Sequence, residues 1–260
     1  MRSRLIIGTL GIAAVFAGGL TLLLARQGPD AVVLDFETGN FSGWRTFKLL
    51  HPYSGRIVTD IVRRGRYAAR FELRAGDNMP EDRGGGVRAE LKDDYNAPLG
   101  KDYWYSFSTY IPNNFPLRKP NCVIAQWHGE HDDGEESRSP VLAHRYAGGD
   151  LIIDIRYSST KIQHANDGTR KTLHEEKNFR RGVWHDFLYH VVWSPDDNGR
   201  VEGWLDGRQV IDYRGPVGYN DDEGPYFKFG LYHHDGPDPY VIYHDEYRRG
   251  PRRADVEPPA

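Results

Sequence analysis

The chain has 260 residues, 38% of them hydrophobic and 13% aromatic, which is enough to bury a core in one large domain or two small ones. A formal net charge of −3 excludes a generic nucleic-acid binder, which would carry a strongly basic domain or stripe. The single cysteine, Cys122, excludes a disulfide framework within the chain, so the fold must stand on packed secondary structure.

Met1-Arg2-Ser3-Arg4 precedes an uncharged run over residues 5–25 that ends at Arg26. As a helix rising about 1.5 Å per residue, such a run covers about 30 Å, the thickness of a bilayer core. Residues 1–26 therefore read either as a membrane-inserted anchor or as a cleaved signal peptide. The basic flank comes first, so in both readings the rest of the chain lies outside the cytoplasm, periplasmic or secreted. Residues 27–31 read as a linker, 32–250 as one domain, and 251–260 as a disordered tail.

Within the domain, short apolar segments separated by turn residues predict strands at 32–37, 56–62, 67–74, 87–92, 103–111, 122–128, 141–146 and 151–157. They continue at 185–194, 201–205, 209–213, 226–233 and 240–247. Asp206-Gly207 readily supplies the positive φ angles of a type I′ turn and joins two of these strands in a hairpin. Together with 185–194 they predict an antiparallel meander. Stretches 76–86, 129–139 and 158–180 read as long polar loops, the second of them a candidate lid or a plain acidic loop. The expected class is all-β, a sandwich of two antiparallel sheets, preceded by one N-terminal hydrophobic helix.

Three segments alternate ionisable or polar residues with apolar ones: Arg88-Ala89-Glu90-Leu91, Gln126-Trp127-His128, and Tyr226-Phe227-Lys228-Phe229-Gly230-Leu231-Tyr232. On strands this spacing sends Arg88, Glu90, Gln126, His128, Tyr226, Lys228 and Tyr232 to one face, with the apolar residues on the other. Such a face can hold a carboxylate and move a proton beside it. Each segment alone reads as an ordinary surface ion pair, sheet hydrogen bond or structural tyrosine; their joint pattern points to chemistry.

In order and spacing the three segments resemble the signatures of jelly-roll alginate lyases, Arg-Ser/Thr-Glu-Leu, Gln-Ile/Val-His and Tyr-Phe-Lys-Ala-Gly-x-Tyr. Tyr103-Trp104-Tyr105-Ser106-Phe107 and the text from Trp184 to Gly207 resemble the lyases grouped with heparin lyase I and glucuronan lyase. Ala89, Trp127 and His233-His234 depart from the alginate lyase pattern and bear on the substrate more than on the reaction. The resemblance implies a concanavalin-like β-jelly-roll and β-elimination on an anionic, uronic-acid-containing polysaccharide, without a required cofactor. It implies Tyr232 and His128 as the proton-transfer pair and Gln126 and Arg88 as the clamp on the substrate carboxylate. Glu90, Lys228, Tyr226 and His234 are then candidate substrate-binding residues. Glucuronan-type polymers rank ahead of alginate and heparin-like chains, and a monomer is expected.

Stereochemistry leaves the roles open. In glucuronate and mannuronate the C5 proton and O4 lie on the same side, so one tyrosine can act as base and then acid. In guluronate they lie on opposite sides, and His128 becomes the natural base.

Two other readings carry weight. A jelly-roll glycoside hydrolase needs Glu-x-Asp-x-x-Glu on one strand, which the sequence lacks, and Asp150 and Asp154 have the wrong spacing for it. A non-catalytic carbohydrate-binding module would need no base or acid. The eleven histidines show no recognisable metal-ligand spacing. Glu37 and Asp245, near the two ends of the domain, would supply oxygen ligands for a structural calcium ion if the terminal strands pair.

Overall fold

Alternating apolar and polar residues fold much of the described chain into strands. The computed structural model describes residues 31–44, 46–77, 86–117, 122–164, 168–234 and 239–257. The expected anchor or signal helix lies outside these residues. No helix among them is long and apolar enough to cross a membrane.

The strands are β1 Val32–Leu34, β2 Thr46–Lys48, β3 Gly55–Val58, β4 Ala68–Leu73, β5 Gly86–Lys92, β6 Asp102–Tyr110, β7 Cys122–His128 and β8 Leu142–Ala147. They continue as β9 Asp150–Ser158, β10 Thr169–Glu176, β11 Trp184–Val192, β12 Arg200–Leu205, β13 Arg208–Arg214, β14 Gly218–Tyr219, β15 Tyr226–His234 and β16 Tyr240–Gly250. One sheet runs β13-β12-β11-β6-β16-β4-β3, with β1 on β16; the other runs β10-β9-β8-β7-β15-β5-β2, with β14 on β9. All pairs are antiparallel except β14 beside β9. This is the expected two-sheet sandwich, and β11-β12-β13 form the expected meander. Asp206 and Gly207 both take positive φ, 50° and 79°, as the hairpin requires.

The core lies between the sheets and is largely aromatic. Phe227 of β15 stacks on Tyr247 of β16 at 4.7 Å and meets Trp127 of β7 at 4.9 Å. Trp44 meets Phe229 edge-on at 4.7 Å. Such pairs contribute about 0.5–1.5 kcal/mol each beyond their burial, which lets the fold stand without a disulfide. Cys122 is buried in this core, as its apolar surroundings predict.

Several elements differ from the sequence reading. The first strand ends at Leu34 because Phe36 turns inward with φ 62°. Strand β10 forms in the stretch read as loop; it is a polar, mostly exposed edge strand, so burial imposes no alternation on its sequence. The C-terminal stretch read as disordered carries a 3-10 turn at Arg253–Asp255, and Val256 is fully buried with its carbonyl accepting from the Ser106 hydroxyl.

Candidate active site

β7, β15 and β5 are neighbours in one sheet, so the three sequence segments lie side by side. Tyr226 is opposite His128, Lys228 opposite Gln126 and Lys92, and Tyr232 opposite Arg88. Ala89, Leu91, Trp127, Phe227, Phe229 and Leu231 face the core as the alternation requires. A bulge in β7 between Val123 and Ala125 shifts the alternation by one, which lets Val123 share the outer face with Gln126 and His128. The outer face floors a cleft of about 580 Å³.

Glu90 organises the floor. Its carboxylate, 2% exposed, accepts a short hydrogen bond from Gln126 Nε2 and faces Arg88 Nη1 and Lys228 Nζ at 3.5 Å each. Burial, joined by the neighbouring charges of Arg88 and Lys92, pulls the Lys228 ammonium down from its usual range, and Glu90 opposes that pull. Gln126 is thereby held with one amide N–H engaged and its other N–H left for a ligand.

His128 Nδ1 donates to the Gly129 carbonyl at 2.9 Å, which makes Nε2 the accepting nitrogen. Burial, then the charge of Lys228, pushes its pKa down to about 3, so the ring is neutral in the free protein. Its ring stacks at 5.7 Å with Tyr226, whose phenol burial pushes upward in pKa. Tyr232 lies further along β15 with the Arg88 guanidinium 4.3 Å above its ring, a counter-charge beside the phenol.

Seven residues singled out from the sequence thus line one cleft: Arg88, Glu90, Gln126, His128, Tyr226, Lys228 and Tyr232. The backbone of His234 extends β15 opposite Gly86, and its side chain is outside the described residues. Glu37 and Asp245 lie elsewhere and hold backbone. Glu37 accepts from the amides of Arg66 and Tyr67, and Asp245 from that of Arg63. Among the described residues one acidic group is close enough to share an ion, Asp132, Glu135 and Asp221, and it contains neither of them. Arg138 already bridges Glu135 and Asp221, and Lys161 pairs with Asp132.

A family model described as polysaccharide lyase matches residues 36–248. The chain belongs to the polysaccharide lyase family. Solved structures similar to this lyase share its fold. An endo-β-1,4-glucuronan lyase from the fungus Trichoderma reesei is 19% identical, with TM-score 0.71 over 86% of this chain and 97% of that one. An alginate lyase from a Chlorella virus is 13% identical, with TM-score 0.55 over 84% and 98%. A family 7 alginate lyase carrying one His-to-Asn and one Tyr-to-Phe substitution, solved with substrate, is 14% identical, with TM-score 0.53 over 77% and 82%. No curated protein matches the chain by sequence.

The lyase cleft also contains residues that the sequence reading missed. Lys92 continues the alternation after Arg88 and Glu90, so the pattern contained it; its ammonium sits 3.7 Å from the Tyr226 ring centre and pairs with Glu130. Arg138 and Arg145 come from the 129–139 loop and β8, and no local pattern marks them. Arg138 ties the loop to the body by donating to Asp221 and to the Glu130 carbonyl. Burial raises the Asp221 carboxyl to about 7 against the opposing charge of Arg138.

Proposed function

We propose that this polysaccharide lyase cleaves a uronic-acid polymer by β-elimination, with a glucuronan-type chain as the preferred substrate and alginate as the next. The observation that carries the reading is the trio Arg88, Gln126 and Lys228 gathered around one buried carboxylate, in a cleft that also holds a neutral histidine and Tyr232.

The C5 proton of a uronate is a poor acid while the neighbouring carboxylate keeps its full charge. A substrate carboxylate above Glu90 meets the second N–H of Gln126 and the charges of Arg88 and Lys228. Fixed donors of this kind are worth about 3–4 kcal/mol each when they face developing charge. With the enolate so held, a base removes the C5 proton, the C4–O4 bond breaks, and an acid returns a proton to O4; each positioned transfer contributes about 10²–10⁴-fold.

A histidine that accepts a proton only near pH 3 is a weak base. This supports Tyr232, reacting as its phenolate with Arg88 as counter-charge, as the group that takes the C5 proton and delivers it to O4, which regenerates the phenolate, with His128 as a neutral hydrogen-bonding partner to the substrate. One residue can serve twice only where C5–H and O4 lie on the same side, as in glucuronate and mannuronate. The fold shared with the fungal glucuronan lyase supports the choice of a glucuronan-type substrate, and the His and Tyr substitutions in the substrate-bound alginate lyase accord with a histidine–tyrosine pair in the reaction. The hydrophobic run at residues 5–25 supports an extracytoplasmic site of action.

The test is ultraviolet absorbance of the unsaturated uronate product with glucuronan, mannuronate-rich and guluronate-rich alginate, and heparin, each with and without calcium. A rise on glucuronan ahead of the others supports the reading. No rise on any of them, with reducing ends also unchanged, favours a binding module.

A further inference from the structure

Beside the cleft, on the same outer face, two arginines hold one buried aspartate and a third arginine stands next to them. Asp154 of β9 has no solvent exposure. Its Oδ2 accepts from Arg145 Nε at 2.9 Å and from Arg170 Nε at 2.8 Å, while Oδ1 is buried without a partner. Arg156 follows two residues later on the same face and is paired across the ladder with Arg170. Its Nε is likewise buried with no acceptor. Burying charge is costly unless it is compensated, and one carboxylate among three guanidinium groups leaves a surplus of positive charge. A face that only needed solubility would not bury the Asp154 carboxylate and the Arg156 Nε.

The cluster is continuous with the cleft. Arg145 lines the cleft and is opposite Val123, which is opposite Tyr232, which is opposite Arg88. At about 4.8 Å per strand, Arg145 stands two strands, or about 10 Å, from Tyr232. Arg156 and Arg170 carry the charge outward to the sheet edge at β10. This distance exceeds the span of one sugar ring, so these groups act on a different unit of the polymer from the one being cleaved.

We infer that Arg145 and Arg170, oriented by Asp154, form with the neighbouring Arg156 a distal subsite for the carboxylate of a second uronate unit. The inference rests on the proposed uronate substrate and deepens it: the lyase takes polymers whose acid groups recur along the chain rather than isolated uronates among neutral sugars. The planar guanidinium fork is suited to such carboxylates.

The experiment compares wild type with Arg170→Gln and Arg156→Gln on a uronate trimer and on the full polymer. A lost charged hydrogen bond predicts about a tenfold fall in kcat/KM on the polymer, carried by KM, with weaker dependence on salt and little change on the trimer. Arg170 is exposed but pairs with the buried Asp154, so melting temperatures are compared with wild type, and Arg156→Gln, which leaves both Asp154 pairs in place, keeps the test falsifiable where Arg170→Gln is destabilised. Equal losses on trimer and polymer, or no loss on either, overturn the inference. Mobility in a gel containing polyuronate separates it from the reaction itself. Retardation of the wild type but not of the double variant supports the subsite even in the absence of turnover, and equal migration of the two overturns it.

Discussion

Gln126 and Glu90 join hands across β15, although they belong to the strands on either side of it. Their hydrogen bond passes over Gly230, the residue opposite Glu90, which puts no side chain in the way. Gly230 has φ 132°, and a Cβ built there would lie 2.1 Å from the Ala89 carbonyl oxygen. Gly230→Ala is therefore expected to cost about 1–3 kcal/mol from backbone strain, and more from separating β5 and β15. Urea unfolding measures the cost, and activity should fall with it because the Gln126–Glu90 contact is lost.

Glu90→Gln keeps the shape of the side chain and removes its charge. Lys228 and Arg88 then lose the counter-charge that holds them beneath the cleft. Breaking such a buried pairing costs about 3–5 kcal/mol. Stability by chemical unfolding and kcat/KM by product absorbance should both fall. A variant as stable and active as wild type would remove Glu90 from its organising place.

Tyr232→Phe removes one hydroxyl and keeps the ring beneath Arg88. The expected result is a loss of about 10²–10⁴-fold in kcat, with polymer binding retained. Tyr226→Phe preserves the stacking on His128 and should lose less. The reverse ranking would transfer the proton-moving role to Tyr226, the tyrosine directly opposite His128.

The low pKa of His128 fixes a sign. Its folded-state value of about 3 lies below the unfolded value of about 6.5. The unfolded chain therefore binds this proton first, and the contribution of His128 lowers stability as pH falls from about 6.5 toward 3. In kcat/KM, which reports the free enzyme, no acidic limb from His128 should appear near pH 6. Lys228→Gln removes a neighbouring cation and should move that limb upward, though only part of the way because burial is the larger cause. A limb near pH 6 in the wild type would show that His128 is protonated in the free enzyme at that pH.

Much of the site was legible in the sequence. A strand has a period of two and β5, β7 and β15 each have one buried face, so alternation alone assigned Arg88, Glu90, Gln126, His128, Tyr226, Lys228 and Tyr232 to the outside. The meander was legible for the same reason, aided by the Asp206-Gly207 turn. β10 was not legible, because a polar edge strand has no buried face to impose alternation. The roles of Glu37 and Asp245 were also hidden, since nothing local reveals which backbone amides a carboxylate will meet.

The sequence by itself determined which residues face outward and that the fold needs a sandwich core rather than disulfides. Only the tertiary structure decided that β15 lies between β5 and β7, that Tyr226 rather than Tyr232 is opposite His128, and that Arg145, Arg156 and Arg170 extend the floor around Asp154. The reason is physical. Facing is set by burial within one strand and is written in a few consecutive residues, whereas neighbourhood is set by pairing between strands far apart in the chain, which no local pattern encodes.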